Sequence, residues 1–148
     1  MELPDIHALI ALFDPKHIHH EPAQTWFTTA RTVGWATCPL TENGFLRIVS
    51  NPSYANLRLS ITELAAGLRT LFTTYTDNHQ LYTDYISLCD TSLFDLNAVQ
   101  GYRQLTDLYL LGLCQQRRAT LVTFDEGIQQ LKRAIITARP DLVRLLVP

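Results

Sequence analysis

The sequence predicts a single three-layer α/β/α domain with a mostly parallel central sheet. Short apolar runs alternate along the chain with longer segments whose apolar residues recur at helical spacing. Proline, glycine, asparagine or serine stands at many of the junctions between them. This alternation is typical of parallel sheets covered by crossover helices. Because the chain has 148 residues and no repeat or linker, we expect a single domain over residues 1–148.

Five short runs have the length and composition of strands. The clearest is ATLVTF at residues 119–124, and YISLC at residues 85–89 has a similar apolar character. The predicted strands cover residues 2–5, 34–38, 85–89, 119–124 and 142–147. Residues 90–101 show neither the strand nor the helix period, and their structure stays open.

Start and stop signals define the helices between these strands. The pair Asp14-Pro15 ends the first helix and Pro22 begins the second, while Asn51-Pro52 stops the third. Ser60 is a natural N-cap for the fourth helix, which has apolar residues at helical spacing. The predicted helices cover residues 6–13, 22–31, 40–49, 61–75, 103–116 and 126–136.

Composition and charge narrow the class of protein. Hydrophobic residues make up 47% and charged residues 18%, which is typical of a folded domain, and the formal net charge is −2. No apolar run approaches the length of a membrane span, and no export segment is present, so we expect no membrane association. Three cysteines without metal-ligand spacing predict a reducing, cytoplasmic location. Cys38 and Cys89 lie in apolar stretches and are expected to behave as small hydrophobes.

Four acidic residues lie at the edges of apolar segments, where carboxylates need a compensating partner. Asp5 and Asp125 end predicted strands, Glu42 follows the second strand, and Asp107 lies near the start of a long helix. Ligands of open parallel sheets bind beyond the carboxyl ends of the strands. We therefore expect all four carboxylates to face one end of the sheet, where their mutual repulsion would require a metal cation.

Each acid also has a purely structural interpretation. Asp5 and Asp125 suit the N-cap position of the following helix, and Glu42 can complement a helix dipole. Asp107 fits a cap less well, because the spacing of Tyr102, Leu105 and Tyr109 places the helix start before it. Both interpretations stay open at this level.

The segments around these acids resemble those of a known family. They are LPD at residues 3–5, TENGFLR at 41–47, GYRQLTD at 101–107 and TFD at 123–125. Their order and intervals, over nearly the whole chain, are similar to those of PIN-domain proteins and in particular of VapC-type ribonuclease toxins. The resemblance implies that Asp5, Glu42, Asp107 and Asp125 are the metal-site acids, and that Thr123 is an auxiliary polar residue.

The chemistry that the resemblance implies is metal-dependent RNA hydrolysis. Carboxylate ligands suit Mg²⁺ or Mn²⁺, which activate water and neutralise charge on a phosphodiester. We expect an endoribonuclease with Asp5 and Asp107 as central ligands, and Glu42 and Asp125 completing the site. The family also implies an RNA substrate, a VapB-like antitoxin partner and a homodimer, with residues 6–13 and 61–72 as candidate interaction surfaces.

His7 departs from the family pattern, which commonly has asparagine or another small polar residue at this position. Histidine can donate a hydrogen bond to a nearby carboxylate, but it is bulkier and becomes cationic below neutral pH. The alternative function is therefore a catalytically impaired PIN-like domain that binds RNA or a protein without cleavage. A phosphotransfer domain fits poorly, because neither Lys16 nor Lys132 lies on a predicted strand.

Basic, aromatic and histidine residues complete the set of candidates. Arg47 and Arg103 lie about one helical turn from Glu42 and Asp107, and either bind RNA phosphates or are solvated surface charges. The more distant cations at 117, 118, 132 and 133 are interpreted as surface residues. We expect a core position for Trp26, Trp35 and Phe45. We interpret His17, His19 and His20 as a loop and helix start, since three crowded histidines lack a fourth zinc ligand.

Overall fold

A computed structural model, which describes residues 1–83 and 85–147, has a five-stranded sheet at its centre. Its strands are β1 (Glu2–Pro4), β2 (Trp35–Thr37), β3 (His79–Leu81), β4 (Thr120–Thr123) and β5 (Val143–Leu145). Their order is β3-β2-β1-β4-β5, and every neighbouring pair is parallel. The α/β class with a parallel central sheet is therefore confirmed, and all strands end at the same edge.

Six helices connect the strands. They are α1 (Ile6–Phe13), α2 (His20–Val33), α3 (Pro39–Val49), α4 (Ile61–Thr74), α5 (Leu105–Arg117) and α6 (Glu126–Leu131). The bounds of α1 agree with the prediction, and Ser60 caps α4 in a reciprocal pair with Glu63. Helix α2 begins before Pro22, which lies in its first turn, where the missing N–H costs no hydrogen bond.

The sheet separates the core into two layers of helices. Neighbouring strand residues point to opposite faces, so that Leu121 packs in the layer of α5 and α6, whereas Val122 packs in the layer of α2. Trp26, Trp35 and Phe45 are all buried in the second layer, which confirms their predicted core position. This arrangement is the three-layer α/β/α fold.

The predicted strand at residues 85–89 is wrong. The third strand is His79–Leu81, which pairs with β2 through Trp35 and His79, and residues 85–89 lie outside the sheet. β3 lies at the edge of the sheet, where Gln80 and Leu81 face solvent, so it needs no apolar pattern. The apolar residues Ile86 and Leu88 instead pack against the core from a segment without strand structure.

Smaller corrections concern two further predictions. The last predicted helix, 126–136, ends at Leu131 and continues only as a 3₁₀ turn, Lys132–Ala134, because Ile135 is already extended. Cys89 is exposed and does not act as a buried hydrophobe, although Cys38 is buried as expected. Within the two described ranges, none of the helices is both long and apolar enough to cross a membrane.

Candidate metal centre

A cavity of about 540 Å³ lies at the carboxyl ends of β1 and β4. Asp5, Asp107 and Asp125 all line it. The other polar and aromatic residues around the cavity are His7, His17, His19, Arg47, Arg103, Thr106 and Phe124. The sheet topology thus brings three of the four predicted acids to one place, at the end of the sheet where ligands of parallel folds bind.

Asp5 is the most deeply buried of these carboxylates, with 4% of its surface exposed. It caps α1 by accepting a hydrogen bond from the Ala8 N–H at 2.6 Å, and its second oxygen accepts one from the Thr123 hydroxyl at 2.5 Å. Burial raises the pKa of Asp5, while these two hydrogen bonds oppose that rise. Each oxygen keeps a second lone pair, so capping does not exclude cation binding.

Asp107 lies in the first turn of α5, behind a 3₁₀ turn at Tyr102–Gln104, and does not serve as the helix cap. Its half-burial, reinforced by the charges of Asp5 and Asp125, raises the pKa of its carboxyl to about 6. A raised carboxyl pKa is typical of a buried carboxylate with other negative charges nearby.

Asp125 and Thr123 complete this group. Asp125 caps α6, accepting from the Gly127 N–H at 2.7 Å, which agrees with its capping interpretation, and it also lines the cavity. The buried Thr123 hydroxyl donates to Asp5 and accepts from the backbone N–H of Asp125 at 3.0 Å. One hydroxyl therefore links two of the three aspartates.

Glu42 is the acid that the structure sets apart. It lies in the first turn of α3 and is half-buried, but it does not line the cavity. Its Oε1 accepts a hydrogen bond from Thr37 at 2.6 Å, and Thr37 in turn contacts His79. As placed, no three histidine, cysteine or acidic side chains within residues 1–83 and 85–147 are arranged around one ion position.

Two arginines give the cavity a cationic rim. Arg47 of α3 and Arg103 line it and are exposed, and neither guanidinium is paired with a carboxylate in the described part of the chain. The Arg103 guanidinium donates to the Tyr102 hydroxyl at 3.3 Å and lies 5.7 Å from the centre of that ring. Arg117, which was interpreted as a surface residue, is exposed, and its guanidinium packs 4.5 Å from the ring centre of Tyr85. Arg47 and Arg103 are therefore free to bind an anion beside the acids.

His7 lies on the cavity rim at the start of α1 and is exposed. Its proximity lowers the pKa of both Asp5 and Asp107, in opposition to burial. No hydrogen bond joins it to a carboxylate of residues 1–83 or 85–147 as the side chains are placed. The interaction of His7 with the acids is thus electrostatic in this structure.

The segment at residues 14–19 forms a wall of the cavity that sequence reasoning missed. His17 and His19 were assigned to a loop and helix start, which is where they lie, but their spacing gave no sign that they line the acidic site. The His19 ring stacks on Phe124, with 4.5 Å between ring centres. Asp14, fully buried, anchors the segment by accepting hydrogen bonds from Tyr54 at 2.5 Å and from the Lys16 N–H at 2.9 Å.

Comparison with known proteins identifies the family. No protein-family model matches the chain. Curated relatives from Mycobacterium tuberculosis do: the chain is 42% identical to ribonuclease VapC38 over 146 residues, which cover 99% of this chain and all of that protein. It is 39% identical to ribonuclease VapC39 over 85% of its own length and 89% of that relative, and 31% identical to ribonuclease VapC29 over 87% and 89%. The chain therefore belongs to the VapC family of PIN-domain toxins, as its sequence motifs indicated.

Proposed function

We propose that this protein is a metal-dependent endoribonuclease and the toxin of a toxin–antitoxin pair. The observation that carries the proposal is the convergence of Asp5, Asp107 and Asp125 in one cavity, beside two unpaired arginines. Carboxylates that repel one another suit a hard divalent cation. The ribonuclease names of the VapC relatives support the same reaction.

The donor set fits Mg²⁺ or Mn²⁺. Asp5, Asp107 and Asp125 are the residues that would hold the ion, with Glu42 completing the set through water because it lies outside the cavity. When bound, such an ion supplies activation of water and neutralisation of phosphodiester charge. Because its surroundings raise the pKa of Asp107 to about 6, this carboxyl would have to lose a proton before it could act as a ligand at more acidic pH.

The protein's own residues bind and orient the substrate. Arg47 and Arg103 hold RNA phosphates at the rim, where their charge offsets that of the three acids. Thr123 keeps the carboxylate of Asp5 in one orientation by donating to Oδ2. These contacts position the phosphodiester at the acids, which is the main catalytic contribution available to such a site.

A non-catalytic PIN-like domain that binds RNA or a protein is the second candidate, and His7 is the observation that favours it. This side chain occupies the rim next to Asp5 and Asp107, and a cationic imidazole there would compete with a metal ion. Cleavage assays with a His7 variant separate the two functions.

The partners of this protein follow from its family. We propose an RNA substrate, a VapB-like antitoxin, a homodimer and a cytoplasmic location, which the three free cysteines support. A groove of about 370 Å³ between α1, α2 and α4, lined by Leu12, Phe13, Phe27 and Leu71, is the surface that best fits an apolar partner segment. It includes parts of residues 6–13 and 61–72.

The decisive experiment uses the purified protein, freed of any partner, and a mixture of structured RNAs with Mg²⁺ or Mn²⁺. We expect discrete cuts that disappear with a chelator and in Asp107→Asn, but persist in Asp77→Asn, a matched change at an exposed position. Absence of cleavage by a folded wild-type protein, restored in His7→Asn, would identify His7 as the inhibitory residue. Absence of cleavage in both would favour the non-catalytic function.

A further inference from the structure

Thr37 and His79 form a hydrogen-bonded chain with Glu42 outside the cavity. Thr37 is the last residue of β2 and is fully buried. Its hydroxyl lies 2.6 Å from Oε1 of Glu42 and 2.9 Å from Nε2 of His79. Thr37 and Glu42 are five positions apart, at the end of β2 and in the first turn of α3, whereas His79 is 42 positions from Thr37, on the neighbouring edge strand.

The chemistry of the groups fixes the direction of both bonds. An ionised carboxylate only accepts hydrogen bonds, and a threonine hydroxyl has a single proton to donate. Thr37 therefore donates to Glu42 and must accept from an Nε2–H of His79. The chain thus runs from imidazole N–H to hydroxyl to carboxylate, with each donor facing an acceptor.

The ring of His79 is packed against two aromatic side chains. Its ring stacks on Phe72, with 4.4 Å between centres and 2° between planes, and lies 4.4 Å from the ring of Trp35. Its backbone is paired with Trp35 in the sheet. Burial lowers the pKa of this imidazole to about 4, so it stays neutral near pH 7.

The backbone of Glu42 is held in place by α3, and its side chain is anchored at one carboxylate oxygen. Its N–H donates to the Cys38 carbonyl at 3.0 Å, and α3 approaches α1 closely at Gly44, where a Cβ would overlap Ile6. Oε1 is engaged by Thr37, whereas Oε2 makes no hydrogen bond to any residue in the described ranges. One carboxylate oxygen is therefore anchored and the other is left for a ligand or water.

We propose that the Thr37–His79 pair is a positioning relay: it holds the Glu42 carboxylate in one orientation, from which Glu42 contributes through water to the cation site of Asp5, Asp107 and Asp125. This inference rests on the proposed function, since it assigns Glu42 a place in the same metal site. A glutamate side chain loses considerable rotamer entropy when it is ordered. By ordering it before the ion arrives, the relay removes that cost from metal binding, as outer hydrogen-bond partners of metal ligands generally do.

The test measures Mn²⁺ affinity by calorimetry rather than RNA cleavage. We expect about tenfold weaker binding in Thr37→Val and nearly wild-type binding in Thr37→Ser, which keeps the hydroxyl. Thr73→Val is the matched control, because the exposed Thr73 hydroxyl bonds only the backbone carbonyls of Arg69 and Thr70 within α4. In Glu42→Gln, the further change Thr37→Val should cost little more, since the relay acts through the carboxylate.

A second readout does not depend on metal. The Nε2–H of His79 should give a protected imidazole resonance in proton NMR of the metal-free protein. This resonance should disappear in Thr37→Val and shift in Glu42→Gln, although Glu42 does not touch the ring. An unshifted resonance in Glu42→Gln would overturn the relay even if Thr37→Val failed to fold.

The outcomes separate the two proposals. Wild-type Mn²⁺ affinity in a folded Thr37→Val, or in Glu42→Gln, would refute the relay while leaving the three-aspartate site in place. No Mn²⁺ binding by the wild-type protein itself would refute the proposed function, and the role of the relay with it.

Discussion

Replacing Asp107 by asparagine should stabilise the fold while abolishing its activity. The carboxylate of Asp107 is half-buried, faces Asp5 and Asp125, and makes no hydrogen bond to residues 1–83 or 85–147. Asparagine has nearly the same shape and no charge, so the substitution removes repulsion without removing a contact. Activity is lost because the amide is a poor ligand for a hard cation.

The size of the effect follows from the pKa. A rise from 3.8 to about 6 corresponds to roughly 3 kcal/mol of destabilisation by the ionised carboxyl at neutral pH. Asp107 remains partly exposed, and solvent screening reduces the expected gain to about 1–2 kcal/mol. For a domain of 148 residues this is a Tm increase of about 3–6 °C.

The stability difference between Asp107→Asn and the wild-type protein should increase with pH. The folded protein has the higher pKa, so the stability contributed by a protonated Asp107 is present below about pH 3.8 and is lost as pH rises through about 6. The difference in Tm between Asp107→Asn and wild type should therefore widen between these values and stay constant above them.

Thermal unfolding in a chelator, from pH 4 to pH 8, measures this difference, with Asp77→Asn as the control. Added Mg²⁺ should stabilise the wild-type protein and leave the Tm of Asp107→Asn nearly unchanged. Equal or lower stability of Asp107→Asn at pH 7.5 in chelator would show that burial and the charges of Asp5 and Asp125 do not destabilise the ionised Asp107 carboxyl as the structure indicates.

Three further substitutions test other parts of the site. Thr123→Val should destabilise the fold by about 1–3 kcal/mol in urea unfolding, because it leaves an oxygen of Asp5 and a backbone N–H without their partner; Thr123→Ser should recover most of this loss. Tyr54→Phe removes a donor to the buried Asp14 and should cost about 1–2 kcal/mol in the same assay. Arg103→Gln should weaken RNA binding in chelator and lower the slope of log affinity against log salt by about one, and an unchanged slope would exclude a phosphate contact.

The sequence predicted those parts of the fold whose signals are local. The run at 119–124 and the residues around Ser60 carry their strand pattern and cap within a few positions, and both elements formed where expected. The strand His79–Leu81 carries no such pattern, because an edge strand buries little and is held by backbone pairing. The apolar run at 85–89 has the composition of a strand, but its residues Ile86 and Leu88 pack against the core from a segment outside the sheet. Burial alone therefore does not distinguish a strand from an irregular segment.

The candidate site could also be predicted from the sequence only in part. Four acids were predicted to meet, because parallel topology brings strand ends together whatever the intervening sequence, and the three aspartates among them line one cavity, whereas Glu42 does not. The engagement of Glu42 by Thr37 and His79 was not predictable, since a threonine on a strand gives no sign of its partner 42 positions later. Such contacts depend on side-chain packing rather than on chain order.

The hydroxyl of Thr123 also determines when during synthesis the site can exist. It joins Asp5 to a strand that lies 118 positions later in the chain. At about 5–20 residues per second, a ribosome needs roughly 6–24 s to add that length, and until then β1 lacks its neighbour β4. The growing chain is therefore unable to assemble the three aspartates. Each newly made molecule therefore passes through that interval before the three aspartates can come together.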